Sequence, residues 1–182
     1  MHDMTAANLR SAFGGESMAH MRYKIWSDVA ENDGFPNVAR LFRAISRAEQ
    51  VHATNHFDSL KEAKGDFLVP AMAGFGLGST SEHLQGAIDG EEFEINEMYP
   101  TYIASAKEQD ERSARVSFYY AISAEKIHAE MYRNAKKSVD EGRDLELDKV
   151  QICLVCGHTA EGESPEKCPI CAATKDKYIE FA

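Results

Sequence analysis

No cysteine occurs before Cys153. A disulfide framework would spread cysteines along a small secreted chain, so a disulfide-held fold is excluded for most of this one. No apolar run reaches the roughly 18 residues that a membrane-spanning helix needs, so no membrane partner is expected. The opening stretch, Met1 to Arg10, lacks a basic segment followed by an apolar one, and no secretory signal is expected. Basic residues are in deficit: 20 Lys and Arg face 30 Asp and Glu, a net charge of -10. That balance argues against a nucleic-acid partner, whose phosphates need a basic surface. It suits a chain with many acidic groups available to cations. With 43% hydrophobic and 27% charged residues, the 182-residue chain is expected to form one sizeable core and a small appended module.

What is present is a phrase used twice. Residues 48–53 read Ala-Glu-Gln-Val-His-Ala, and residues 124–129 read Ala-Glu-Lys-Ile-His-Ala. Gly15-Glu16 likewise recurs as Gly90-Glu91. Glu16 precedes Glu49 by 33 residues and Glu91 precedes Glu125 by 34, so a helix hairpin carrying Glu and then Glu-x-x-His is expected twice.

Helix signals support this. A first helix is predicted from about Thr5 to Asn32, ended by Gly34. A second starts at Pro36 and carries Val38, Leu41, Phe42, Ile45 and Ala48 at helical period, fading near Lys64. Ser79 to Glu82 reads as a capping box opening a third helix, about Thr80 to Gln109, with Pro100 as an internal irregularity. A fourth runs from about Glu111 to Glu141. Two such hairpins make a four-helix bundle if the Gly-rich segment 65–79 travels the bundle's length. About 15 extended residues reach roughly 50 Å, against about 42 Å for a 28-residue helix. Such a crossover could also pass helices to a second subunit, giving a domain-swapped dimer. The predicted units are a bundle over residues 1–145 and a module over 146–182.

Residues three apart share a helix face, so Glu49/His52 and Glu125/His128 can each present a carboxylate and an imidazole to one ion. Glu16 and Glu91 from the other helices complete a set of inward donors of the kind that bundles use to hold two metal ions. Each glutamate alone reads as a solvated charge on a helix face. Four elements in order with matched spacing are hard to obtain by chance, and so many inward carboxylates would be costly to bury without cations. The repeat is imperfect at Glu94, which shares a face with Glu91 and has Ala19 at the matching place. Glu94 is therefore a seventh candidate, either lying behind the ligands or exchanging with His52 as one ion changes charge.

The tail carries Cys153-x-x-Cys156-Gly and Cys168-Pro-x-Cys171, with eleven residues between the pairs. Four thiolates on two knuckles make a tetrahedral site for zinc or iron. Zinc would be a structural staple; a single iron would carry one electron, which a di-iron bundle can use. Recombinant expression can load zinc into either kind of site.

Taken together, Glu16, Glu49/His52, Gly90-Glu91-Glu92-Phe93-Glu94, Glu125/His128 and the cysteine tail resemble the rubrerythrin family over nearly the whole chain. The resemblance implies an all-α, ferritin-like four-helix bundle followed by a small β-rich rubredoxin-like domain. It implies two non-haem irons on Glu16, Glu49, His52, Glu91, Glu94, Glu125 and His128, with Glu94 and His52 trading places. One further iron would sit on Cys153, Cys156, Cys168 and Cys171. Tyr23 and Tyr99 would bind ligand carboxylates. The implied activity is reduction of hydrogen peroxide in oxidative-stress defence, with electrons from an NAD(P)H-linked reductase or a rubredoxin-like carrier. A cytoplasmic homodimer is implied, often with one chain's rubredoxin domain near the other chain's di-iron site. Ala172 stands where free rubredoxins commonly have glycine, so a differently built second knuckle is expected. The competing readings are a ferritin-like ferroxidase and a zinc-stapled helical interaction module. His20, one turn after Glu16, and His56, one turn after His52, could each sit behind a ligand, but they and His83 are read first as surface or packed histidines, and His2 and His158 as exposed. Trp26, Phe13, Phe42, Phe93 and Phe118 are read as core.

Overall fold

In the computed structural model, which describes all 182 residues, five α-helices precede a small sheet. They are α1 (Asp3–Asn32), α2 (Pro36–Ser59), α3 (Thr80–Phe93), α4 (Tyr99–Glu108) and α5 (Arg112–Asp140). A π-helical turn, Glu94–Met98, joins α3 to α4, so these two form the third member of a four-helix bundle. Strands β1 (Val150–Cys153), β2 (Thr159–Glu161) and β3 (Tyr178–Phe181) form an antiparallel sheet in the order β2-β1-β3.

The helices form where the sequence repeats apolar or small residues every three or four positions. On α1 the buried face is Leu9, Ala12, Glu16, Ala19, Tyr23 and Trp26; on α5 it includes Phe118, Ala121, Glu125, His128 and Tyr132. The acidic positions thus lie in register with the core residues. Ser79 caps α3 with the full reciprocal capping box, its hydroxyl accepting from Glu82 N–H and the Glu82 carboxylate accepting from Ser79 N–H. Gly34, past the end of α1, has φ +87, a conformation that favours glycine. The α2 N-terminus is capped from a distance: Asp144 accepts from the backbone N–H groups of Asn37 and Val38.

Two apolar clusters lie along the bundle. One contains Tyr23, Trp26, Phe42, Leu84 and Tyr132; the other contains Leu9, Met98, Tyr99 and Phe118. The charged residues of the bundle interior sit between them, shielded from water along the axis. The crossover from Leu60 to Ser79 is irregular and runs over α1. Ser11 donates to the Pro70 carbonyl at 2.9 Å, and a Cβ on Gly14 would meet Val69 Cγ1 at 2.7 Å. Glycine at position 14 therefore lets the crossover lie directly on the helix.

Two expectations need correction, and a third is met in a specific form. Helix α2 ends at Ser59 rather than near Lys64, because the chain turns at Leu60, whose side chain packs against the Tyr99–Phe118 cluster. The irregularity expected at Pro100 is a π turn within the third helix, in which Tyr99 N–H reaches back to the Glu94 carbonyl. Pro100 has no N–H to continue an α pattern, and the turn absorbs one extra residue. Phe93 is not core but 38% exposed, since a residue two positions after the inward Glu91 faces away from it. The extra residue has a consequence for the interior. Glu91 and Tyr99, eight apart, are both buried, as residues seven apart are in a regular helix.

Candidate metal centres

Glu16, Glu49, His52, Glu91, Glu125 and His128 are all buried to within 1% of full enclosure. Helices α1, α2, α3 and α5 each contribute, because each has its acidic position on the core-facing stripe. The donor atoms form two groups, Glu16/Glu49/His52/Glu125 and Glu49/Glu91/Glu125/His128, each within 4.8 Å of one another. Glu49 and Glu125 belong to both. Two candidate cation positions therefore share two carboxylates.

The imidazoles are held for this purpose. His52 Nε2 lies 3.2 Å from the Cys156 carbonyl, which only accepts, so Nε2 carries the proton. Its Nδ1 then faces the carboxylates, 2.8 Å from Glu125 Oε1 and 2.9 Å from Glu49 Oε2, where a bound cation would take its lone pair. His128 repeats the arrangement. The Thr159 hydroxyl donates to the Gly157 carbonyl and so accepts from His128 Nε2 at 2.8 Å, leaving Nδ1 facing Glu125 Oε2 at 2.7 Å. A hydrogen bond behind a ligating imidazole is the usual way its tautomer is fixed.

The fit to metal is tested by the atoms left over. Glu16 Oε2, Glu49 Oε1, Glu91 Oε2 and Glu125 Oε1 are buried without a hydrogen-bond partner. Four orphaned carboxylate oxygens in one dry interior would each carry a heavy desolvation cost. Burial, and then the Glu125 charge, push Glu49 and Glu91 above the usual carboxylate range. Burial, followed by Glu16 and Glu125, does the same to Glu94. Cations at the two positions supply the missing partners and relieve the repulsion, and an oxygen-rich set with two imidazoles suits iron.

Tyr23 donates to Glu91 Oε1 at 2.8 Å, and Tyr99 donates to Glu16 Oε1. Both hydroxyls hold carboxylates. Glu94 stands outside both donor groups. It lines a cavity of about 760 Å³ between α1, α3 and the crossover, with Gly15, Ala71 and Gly90 on its walls.

The four cysteines are free and gathered by the two knuckles. Cys153 and Cys171 sulfurs lie 3.7 Å apart, and Cys156 and Cys168 sulfurs 3.5 Å apart. A tetrahedron with metal–sulfur bonds of about 2.3 Å has edges of about 3.8 Å, so the cage is sized for one metal ion. Ala172 takes φ +61, so the second knuckle keeps the left-handed turn with a residue that pays for it. Such a conformation costs an L-residue about 1–2 kcal/mol. Ala172→Gly is therefore expected to stabilise the module by about 1 kcal/mol after the greater chain entropy of glycine is set against it. A slower loss of metal to a chelator, at unchanged visible spectrum, is the measurement.

The module rests on the bundle of its own chain. Besides the His52 and His128 contacts, Asn55 donates to the Val155 carbonyl at 3.0 Å, and Ala44 and Ala48 of α2 pack on Val150 and Ile152 of β1. The resemblance implied that this neighbour is often the other subunit's module; here the connection 141–149 lets the chain fold back on itself. Composition and spacing could not specify that contact, though Cys-x-x-Cys-Gly contains the glycine that allows it. His158, expected to be exposed, is 6% exposed, with Nδ1 2.8 Å from the Tyr178 hydroxyl. His56, expected as a surface or packed residue, is fully buried between Ser117 and Tyr99. Its one-turn spacing from His52 was the available signal.

Comparison with known proteins agrees with this geometry. A family model described as rubrerythrin matches residues 7–136, and one described as the rubrerythrin rubredoxin-like domain matches 151–179. Rubrerythrin-2 of Clostridium acetobutylicum is 52% identical over 98% of this chain and 97% of its own length. A solved structure of fully reduced, all-ferrous nigerythrin superposes with a TM-score of 0.85 at 34% identity, over 97% of this chain and 86% of that one. A bacterioferritin from Mycobacterium tuberculosis, at 18% identity and TM-score 0.68 over 78% of this chain and 89% of that one, shares the fold alone. The chain belongs to the rubrerythrin family, as a ferritin-like di-iron protein with a C-terminal rubredoxin-like domain.

Proposed function

We propose that the protein reduces hydrogen peroxide to water at the paired centre, with electrons entering through the four-cysteine module. The observation that carries this reading is the direct contact between the two sites, His52 Nε2 on the Cys156 carbonyl. In this reading Glu16, Glu49, His52 and Glu125 hold one iron, and Glu49, Glu91, Glu125 and His128 the other. Cys153, Cys156, Cys168 and Cys171 hold the third, and the two units divide at residues 145 and 146. Bound there, the paired irons supply two electrons and Lewis acidity toward the peroxide oxygens, and the four-thiolate iron supplies one-electron transfer from an external donor.

The protein's own groups set the conditions. Hydrogen peroxide, two electrons and two protons give two waters, so the site must admit a small polar molecule and supply protons. The cavity at Glu94 supports entry from the α1–α3 side. Glu94 is the carboxylate free to replace the neutral His52 where the positive charge rises, since a negative group gains more from it. Tyr23 and Tyr99 keep Glu91 and Glu16 in place during that exchange. The two apolar clusters exclude bulk water from either end.

The donor is an NAD(P)H-linked reductase or a rubredoxin-like carrier. Four free thiols fit a reducing cytoplasm. A homodimer fits the crossover, where Leu68, Met72, Phe75 and Leu77 are exposed and a second copy would cover them. The same segment is the one through which two copies would exchange helix pairs.

Anaerobic stopped-flow mixing tests the reading. Fully reduced protein is expected to be oxidised by peroxide far faster than by dioxygen. Equal or reversed rates would instead make the protein a ferroxidase.

A further inference from the structure

His56 is a fully buried polar residue that the reaction above leaves without a task, and its partners define a direction. Tyr99 has one hydroxyl proton and donates it to Glu16 Oε1. Its oxygen must therefore accept from His56 Nε2, 3.0 Å away. The proton of the neutral ring is then on Nε2, and Nδ1 must accept from the Ser117 hydroxyl at 2.7 Å. The chain Ser117 → His56 → Tyr99 → Glu16 is thus a single file of donors, all pointing toward the paired centre. His56 and Tyr99 are fully buried and Ser117 is 4% exposed. At its outer end, Ser117 lines a surface cleft of about 440 Å³ with Asn55, Asp58, Ser59 and Ser113. The cleft opens away from the Glu94 cavity, which shares none of these residues.

We propose that Ser117, His56 and Tyr99 form the proton inlet of the paired centre, separate from the route by which peroxide enters. The inference rests on the peroxide-reducing reading, which consumes two protons per turnover. A hydronium in the cleft gives a proton to Ser117 Oγ, and the serine's own proton moves to His56 Nδ1. The Nε2 proton moves to the Tyr99 oxygen, and the tyrosine's own proton moves to the Glu16 side of the site. Each member ends with as many protons as it began with, and one proton has crossed. The imidazole must regain its Nε2–H tautomer before the next passage. Imidazole is suited to this because it accepts at one nitrogen while releasing from the other. A purely supporting hydrogen bond would need only one of its two contacts and no opening to solvent.

Two variants separate conduction from support. His56→Gln keeps a donor and an acceptor but does not pass protons by tautomer exchange; Ser117→Ala cuts the inlet two contacts away from Glu16. Both are expected to bind iron with the wild-type visible spectrum. Both should lose about a hundredfold in the rate at which peroxide oxidises the reduced protein, the typical worth of a positioned proton donor, with a larger solvent deuterium isotope effect. A readout without turnover is ¹⁵N NMR of the full-length zinc-loaded protein. His56 should be the Nε2–H tautomer, and Ser117→Ala should slow exchange of that proton with water. An Nδ1–H tautomer, or wild-type oxidation rates in both variants, overturns the inlet. Failure of the wild-type protein to react with peroxide would instead overturn the parent reading, while the NMR result would still report on the chain of donors.

Discussion

Glu125→Gln is expected to yield protein that retains the iron of the four-cysteine site and loses both irons of the bundle. Glu125 and Glu49 are the two groups common to both clusters, and Glu125 is the carboxylate closest to both imidazoles, 2.8 Å from His52 Nδ1 and 2.7 Å from His128 Nδ1. Replacing it with an amide of nearly the same volume leaves packing intact and removes one negative charge from each ion's surroundings. It also presents an NH₂ group where a lone pair was needed. Each cation then faces a shell that is both less negative and partly repulsive. The stability consequence follows from linkage, because a ligand that binds only the folded state at about 1,000 times its dissociation constant stabilises it by about 4 kcal/mol. Added iron should therefore raise the melting temperature of the wild type and leave the variant's bundle where it was. Iron content per chain and melting curves with and without iron are the measurements. Retention of both bundle irons by Glu125→Gln would show that the shared carboxylate is not what joins the two positions. Glu94→Ala is the contrast: it lies outside both groups, so iron content should persist.

These expectations were legible in the sequence to different degrees. The bundle and the inward donors could be read because helical period and ligand spacing are the same physical quantity. A residue on the apolar stripe is inside, and Glu16, Glu49, Glu91 and Glu125 all fall on it. The four-cysteine cage was legible because two knuckles fix their own geometry over a few residues. What could not be read was anything set by packing between distant segments. Pro100 announced an irregularity, but the π turn and its alignment of Glu91 with Tyr99 depend on how the third helix settles against α5. His56 looked like a packed histidine because its meaning comes from Ser117 and Tyr99, which lie 61 and 43 residues away along the chain. His158 looked exposed for the same reason, since Tyr178, which pairs with it, belongs to the last strand.

Gly157→Ala is expected to undock the module from the bundle while leaving its metal cage intact. Gly157 adopts φ +79, and a Cβ there would lie 2.1 Å from His52 Nε2 and 2.7 Å from His52 Cδ2. His52 is fully buried and held at both ring nitrogens, so it cannot step aside. Inserting a methyl into such a contact costs about 1–3 kcal/mol, and a strain of 3 kcal/mol lowers the docked population more than about a hundredfold. The relief is for the module to lift away, breaking the contacts of His52 with Cys156 and of His128 with Thr159 together. Hydrogen exchange should then rise along β1 and β2 where they face α2 and α5. Oxidation of the reduced bundle by a single equivalent of peroxide should fall less than steady-state turnover with an external donor. Gly162→Ala supplies the control. Gly162 has nearly the same backbone, φ +78, but its added Cβ meets only Asp148 Oδ2, at 3.6 Å. It carries the backbone strain, about 1–2 kcal/mol, without the collision. If both variants lose turnover equally, the cause is module instability and the His52–Cys156 contact carries no electrons; if only Gly157→Ala does, the contact is the junction between the two sites.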